Sequence, residues 1–356
     1  KAGDGLTDLE ARERIHAYLD ELRTTQRYPI DRALKHPLYP ILRKIDRVSE
    51  RVDVPADATA SSRVLYISNH RSHLDYLVEP LILDDNGIRP PVIAAGINLF
   101  GGPLGLIHRH VTGAIPIRRG AKDPAYLVTL KAYIAETLKR HDLMFYLEGG
   151  RSYSGELKSP KTGILNASVQ SERRDLVIVP VAIAYDLVLE DKILSRQGQK
   201  RVQRPFSREL AEMVGAAVGY QSRACVTFGT PIPLQGWNTE SRRDILKLAH
   251  LVLATIGRLY KVLPTALVAH AMRPSMTRRE LMVAIDPLVD TLQQQDANLE
   301  TADLGGIADV GVALLEARGI LVQDRQLIRV RDRHALRYYA RSIEHLLQAS
   351  RRDRMH

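Results

Sequence analysis

The sequence predicts an α/β fold, a mixed sheet flanked by helices, with a helical segment before it and a helical region after it. Three observations carry this. Short β-rich runs alternate with helix-period runs between about residues 60 and 235, as a layered sheet requires. Helical spacing without strand signals occupies both ends. The chain has 356 residues, more than one core usually holds, and 45% are apolar, so a main domain of about 200 residues with helical additions is the default.

Three sections follow: an N-terminal helical segment at 1–55, a central domain at 56–238 and a C-terminal helical region at 239–356. In the first, Thr7 with Glu10 forms a capping box, and Ile15, Leu19 and Leu22 recur on one helix face. It ends near the linker-like "DVPADATASS". The central strands are expected at Val64–Ser68, Val92–Ala95, Ala114–Ile117, Leu143–Leu147, Leu176–Tyr185 and Ala224–Phe228. Asp123 as N-cap with Pro124 at the first helical position opens a helix whose Leu127, Leu130, Ile134 and Leu138 form one stripe. In the third section Ile245, Leu248, Val252 and Ile256 share a face ahead of Pro264, and Thr277 with Glu280 caps another helix. Leu336, Ala340, Ile343 and Leu347 belong to one last amphipathic helix running into the basic "SRRDRMH".

Composition narrows the function. The 51 basic and 41 acidic side chains leave a net charge of +10, which favours anionic partners: nucleic acid, phosphorylated substrates, an acidic carrier or an anionic membrane. Only 5% of residues are aromatic and no nucleic-acid-binding module is recognisable, which argues against the first. Cys225 is the sole cysteine, so an intrachain disulfide is excluded, in keeping with a reducing compartment. No uncharged apolar run reaches 18 residues, so no spanning helix is expected here. With Lys1 in place of an initiating Met, the sequence leaves open whether a segment precedes it.

The stretch "YISNHRSHLDYL" puts His70, His73 and Asp75 just past a strand end. Asp75, in the first turn of the next helix, can turn back to one imidazole nitrogen of His70, fix its tautomer and leave the other nitrogen as a base. Such a base suits proton removal from an alcohol attacking a carbonyl. Two other readings stand beside it: a helix cap beside a polar turn, or a metal site formed by His70, His73 and Asp75. The second stretch, "MFYLEGGRSYSGELKSPKTG", ends a strand in Glu148, Gly149 and Gly150, where backbone N–H groups can converge on an anion. Arg151 can grip phosphate oxygens, with Ser152, Lys158 and Lys161 close by; a plain tight turn is the alternative. The third, "GAIPIRRG", ends a short strand in Arg118 and Arg119, either a second cationic claw or a solvated strand end. A base dyad with two phosphate loops points to group transfer involving a small phosphorylated alcohol.

The order of "NHRSHLD", "GAIPIRRG", "FYLEGGRS" and "IVPVAIAYD" resembles the four sequence blocks of the glycerolipid acyltransferases, whose signature is His, four residues, then Asp. "AAGINLFGGPLG", "SPKTG" and "FGTPIPL" look like the bacterial membrane-bound glycerol-3-phosphate acyltransferases, over roughly residues 60–235. The resemblance implies that family's α/β fold and acyl transfer from acyl-CoA or acyl carrier protein to the 1-hydroxyl of sn-glycerol 3-phosphate, the first step of phospholipid synthesis. It implies His70 as general base and Asp75 as its orienting partner, with Arg118, Glu148, Gly149, Gly150, Arg151 and Ser152 holding the acceptor. Neither cofactor nor metal is called for. Val179, Pro180 and Val181 fall in the block assigned to shaping the site. Tyr153 and Glu156 depart from the pattern, standing where relatives commonly carry basic residues. The same parts would serve 1-acylglycerol 3-phosphate or dihydroxyacetone phosphate as acceptor.

The apolar run "PPVIAAGINLFGGPLGLIHRH", residues 90–110, reads either as a buried strand and loop or as an interfacial patch beside the base. With an amphiphilic product, peripheral attachment to the cytoplasmic face of the inner membrane is the expectation.

Overall fold

The computed structural model describes residues 7–27, 29–30, 33, 45–50, 62–110, 112–171, 173, 175–197, 221–300 and 303–353. Helix α1 (Asp8–Leu22) starts at the Thr7–Glu10 capping box, yet its expected apolar stripe is only partly used. Leu22 is fully buried, while Ile15 and Leu19 stay about a third exposed. Beyond it lies a strand that the helical reading of 1–55 had no place for: β1 (Ile45–Glu50) pairs in parallel with β7 (Ser222–Phe228), so a boundary at 55 cuts across the sheet. All of the linker but Ser62 falls outside the described residues.

The other strands fall close to expectation: β2 (Arg63–Ser68), β3 (Val92–Gly96), β4 (Ile115–Ile117), β5 (Leu143–Tyr146) and β6 (Leu176–Tyr185), with a short β8 (Ile232–Pro233). Their order is β1-β7-β6-β2-β5-β3-β4, with β8 paired to β6. The sheet is mixed. β4, β3, β5, β2 and β6 run parallel, whereas β7 and β8 run antiparallel to β6. Buried on both faces, β2, β3 and β6 read as continuous apolar runs.

Between the strands lie α2 (Asp75–Asp85), α3 (Gly102–His110), α4 (Pro124–Leu138), α5 (Gly163–Val169) and α6 (Asp191–Gln197). Asp123 accepts from the Ala125 N–H at the start of α4, as its spacing with Pro124 predicts. The buried face of α4 is set by Tyr126, Leu130, Ile134 and Leu138; Leu127 is 48% exposed and lies off it. Because β2 to β5 are parallel, the loops that leave their carboxyl ends gather on one edge, where open α/β sheets place ligands.

In the C-terminal region α7 (Arg242–Leu259) buries Ile245, Leu248, Val252 and Ile256, and α8 (Pro264–Ala271) follows. Helix α9 (Arg278–Gln294) carries the Thr277–Glu280 capping box, and α10 (Leu304–Ala317) packs beside it. A second, three-stranded antiparallel sheet of β9 (Ser275–Thr277), β10 (Leu321–Asp324) and β11 (Leu327–Val330) interrupts the helices. The expected single last helix is two, α11 (Arg333–Arg341) and α12 (Glu344–Asp353), meeting at Ser342 and the fully buried Ile343. This region grips the central domain through Asp191, which accepts from Arg318 at 2.7 Å and from the Tyr339 hydroxyl at 2.7 Å.

Candidate active site

After β2, Asn69 fastens the turn to the sheet by bonding both ways with the Ile183 backbone of β6, at 3.0 and 2.8 Å. His70 follows, buried, with Nδ1 2.8 Å from Asp75 Oδ2. The same oxygen accepts from the Arg71 and Ser72 backbone N–H groups at 2.6 and 3.0 Å, and the other oxygen from the Tyr185 hydroxyl at 2.8 Å. The carboxylate therefore bends back over the loop before α2, and no side chain caps that helix. With Nδ1–H donated to Asp75, Nε2 carries the lone pair. Burial, with Arg151, His73, Arg119 and Lys158 nearby, pushes the His70 pKa well below the usual imidazole range, so the ring is neutral at pH 7.

Burial pushes the Asp75 pKa up to about 6, and the four donors that converge on it work against that rise, so the carboxyl is the anion at pH 7. One turn along α2, Glu79 is fully buried and meets only hydroxyls, those of Ser68 and Tyr146. Burial and the neighbouring Asp75 push the Glu79 pKa well up, so of the two carboxyls Glu79 keeps the proton.

The loop after β5 is zipped to the His70 turn by the residues that were expected to touch substrate. Glu148 accepts from the His70 N–H at 3.1 Å and from the Lys158 N–H at 2.9 Å. The Ser152 N–H donates to the His70 carbonyl at 3.0 Å while its hydroxyl donates to the Glu156 carbonyl at 2.7 Å. Neither side chain lines the cavity beside His70, whereas Gly149, Gly150 and Arg151 do. Gly149 has φ +67°, and a Cβ there would come within 3.0 Å of Lys161. Lys158 Nζ donates to the Gly150 and Arg151 carbonyls at 2.6 and 2.8 Å, and Arg151 lies 3.5 Å from Glu190.

The cavity holds about 90 Å³ and lies between the ends of β2, β3, β4 and β5. Ala94, Ala95 and Leu99 give it an apolar wall, drawn from the 90–110 run, while Leu106 on α3 is 63% exposed. That run thus supplies both a buried strand and an exposed apolar side chain. The arginine pair divides. Arg118 leaves the cavity and forks onto Glu21 of α1, Nε to Oε1 at 2.7 Å, with Tyr18 and Tyr126 under its guanidinium. Arg119 lines the cavity against Gly96 and Gly150, and makes no hydrogen bond or ion pair with the described residues.

The structure so brings together His70, Asp75, Gly149, Gly150 and Arg151, sets Glu148 and Ser152 behind them, and puts Arg118 elsewhere. Residues not singled out from the sequence complete the site. Glu190 accepts from the Ser72 hydroxyl at 2.6 Å and the His73 N–H at 2.7 Å, and Tyr146 stacks on His70. Glu190 is 117 positions from His73, so only the fold discloses the pairing. His73 lines the cavity, but among the described residues no three His, Cys, Asp or Glu side chains are grouped to hold a metal.

Residues 47–184 match the family model described as Acyltransferase. Proteins named glycerol-3-phosphate acyltransferase are similar to the chain. That of Aeromonas hydrophila is 30% identical over 82% of this chain and 40% of its own, and that of Actinobacillus succinogenes 28% over 97% and 47%. The chain spans less than half the length of these curated relatives. The 1-acyl-sn-glycerophosphate acyltransferase structure from Thermotoga maritima is similar at 16% identity, over 70% of this chain and 94% of that one, with a TM-score of 0.37. The matched residues 47–184 include β2 to β5 and every residue that lines the cavity beside His70.

Proposed function

We propose that this protein is a glycerol-3-phosphate 1-O-acyltransferase, moving a fatty acyl group from acyl-CoA or acyl carrier protein to the 1-hydroxyl of sn-glycerol 3-phosphate. The observation that carries the reading is a neutral, carboxylate-oriented His70 in one cavity with Arg119 and Arg151. The arginines hold the acceptor's phosphate by charge-assisted hydrogen bonds, which places a hydroxyl beside the imidazole. Nε2 takes that proton as the oxygen attacks the thioester carbonyl. The C–O bond forms, the C–S bond breaks, and the proton passes from the imidazolium to the departing thiolate, giving 1-acylglycerol 3-phosphate and a free thiol. Asp75 stabilises the imidazolium without taking the proton itself. The relatives' shared name supports glycerol 3-phosphate as acceptor.

The enzyme works at the cytoplasmic face of the inner membrane as a peripheral protein. Among the described residues no helix is long and apolar enough to cross a membrane. Ile97 and Leu106 are exposed beside the apolar cavity wall, and the net charge of +10 suits an anionic surface. In this reading nucleic acid is not a partner.

The test supplies purified protein with a long-chain acyl-CoA, or the acyl carrier protein thioester, and a panel of acceptors: glycerol 3-phosphate, dihydroxyacetone phosphate, 1-acylglycerol 3-phosphate and glycerol. Acylation of glycerol 3-phosphate at position 1, abolished by His70→Ala, is expected. Preference for another acceptor, or turnover indifferent to His70→Ala, overturns the reading. Vesicle flotation with and without anionic lipid tests the surface, and equal recovery with both refutes the charge argument.

A further inference from the structure

The reaction described above uses one edge of the His70 ring and leaves open what holds its face. A single hydrogen bond to Nδ1 fixes a point on the imidazole but not its tilt. The second constraint lies on β5. Ser68 and Tyr146 are register partners on adjacent parallel strands, so the tyrosine that ends β5 stands beside the turn that carries His70. The two rings stack, with centroids 4.0 Å apart and planes 10° from parallel.

The tyrosine is itself pinned. Its hydroxyl lies 3.0 Å from Glu79 Oε2, and the Ser68 hydroxyl bonds the other oxygen. Asp75 and Glu79 are four residues apart, so one face of α2 presents a carboxyl to the imidazole edge and another to the phenol beneath the ring. Glu79 is completely buried and has no cation partner among the described residues, an arrangement costly to keep unless those two bonds are used. No step of the acyl transfer uses it.

We infer that Tyr146 is a positioning residue: anchored through its hydroxyl to the buried Glu79, its ring holds the His70 imidazole face-on and stabilises the positive charge that the imidazole acquires during acyl transfer. The inference rests on His70 as the base. A π face against an imidazolium is attractive where one against a neutral ring is only packed, so the platform favours the charged form. The charged groups facing His70 are Asp75 and His73 on its own segment, Glu148, Arg151 and Lys158 on the loop after β5, and Arg119 after β4. The four cationic or potentially cationic ones oppose imidazolium formation, and Asp75 at the ring edge, Glu148 at the backbone N–H and the Tyr146 ring face support it.

The test compares Tyr146→Phe, which keeps the ring, with Tyr146→Leu, which removes it. The readouts are kcat, both KM values and the acid limb of kcat/KM, followed in short assays from about pH 8 to about pH 4.5. The leucine variant should lose about tenfold or more in kcat, with both KM values within about threefold, and its acid limb should move down by about half a pH unit or more. Tyr146→Phe and Glu79→Gln, which keep the ring but loosen its anchor, should keep the parental limb and lose less kcat than the leucine variant. If Tyr146→Leu loses its circular dichroism, Tyr146→Met, closer in volume, carries the same expectation. A parental limb in the ring-deleted variant, or a phenylalanine variant as damaged as the leucine one, overturns the inference. A parent whose turnover survives His70→Ala refutes the base itself and is told apart by that control.

Discussion

The two adjacent arginines after β4 should separate cleanly by function. Arg119→Ala removes a guanidinium that lines the cavity, is partly desolvated, has Arg151 as a like-charged neighbour, and meets no acid among the described residues. Although the residue is exposed, contact with the cavity wall partly desolvates its guanidinium and, with that second cation beside it, holds the pKa below the usual guanidinium range, which an arriving phosphate dianion relieves. Hydrogen bonds to a charged partner are worth about 1.5 to 3 kcal/mol, so kcat/KM for glycerol 3-phosphate should fall roughly 10- to 150-fold. Arg118→Ala removes a guanidinium on a side chain 44% exposed, bound to Glu21 and lying over two tyrosine rings. An exposed pair of that kind contributes about 0 to 1 kcal/mol, with a similar amount from ring contact, so thermal stability should fall slightly and acceptor kinetics should change less than about twofold. The assay is initial rate against glycerol 3-phosphate at saturating donor, repeated with glycerol at high concentration. The Arg119 defect should shrink sharply with glycerol, which offers no phosphate. Acceptor kinetics that fail in Arg118→Ala and survive in Arg119→Ala would refute this assignment of the phosphate site.

Asp75→Asn should lower kcat about 10² to 10⁴-fold with little change in either KM, because the amide cannot support an imidazolium; near-parental turnover would leave Asp75 as a mere staple for the loop. Gly155, with φ +87°, presses so closely on α11 that an added Cβ would sit 1.9 Å from the Tyr338 carbonyl oxygen. Gly155→Ala should therefore cost about 2 kcal/mol or more in chemical denaturation, and a neutral result would show that loop and helix are not seated together. His345 is half-buried with Nε2 3.0 Å from the Gly257 carbonyl oxygen, and desolvation of the ring depresses its pKa from 6.5 to about 4. The unfolded chain then binds the proton first as pH falls, so stability declines from pH 6.5 down to about 4, by on the order of 3 kcal/mol for this group at 1.36 kcal/mol per unit. His345→Gln should flatten that part of the stability curve, and an unchanged slope in urea titrations across the window would exclude the histidine as its source.

What the sequence made legible shares one property: the partners lie within a turn of each other. Thr7 with Glu10, Asp123 with Pro124, Thr277 with Glu280 and His70 with Asp75 are local pairs, and the structure realises each of them. Glu79 is as local, four residues past Asp75, but the tyrosine it meets lies 67 positions away at the end of β5. Strand β1 was obscured because "IDRVSE" has only two apolar residues, three apart, and borrows its pairing from β7, 177 positions away from Ile45 to Ser222. The short strands β9 to β11 each hold only three or four residues, too few for a period to register against the helices around them.

Arg118 and Arg119 show why composition at a site does not fix geometry at it. Two cations follow the strand Ile115–Ile117, and consecutive side chains leaving a strand point to opposite sides, so one of them can face the cavity and its neighbour cannot. The choice is made by the pairing of Gly96 with Ile117, which sets β4 against β3 and lets Arg119 lie over a residue without a Cβ. A Cβ on Gly96 would stand 3.1 Å from the Arg119 guanidinium and 2.6 Å from the Asn98 side chain. That glycine thus acts on the proposed phosphate site without contributing a polar atom. Gly96→Ala should displace Arg119 and reproduce part of the Arg119→Ala defect in acceptor kcat/KM while leaving the Arg118–Glu21 pair and donor KM intact. An alanine variant with parental acceptor kinetics would show that the guanidinium has room to move and that the register of β4 alone positions it.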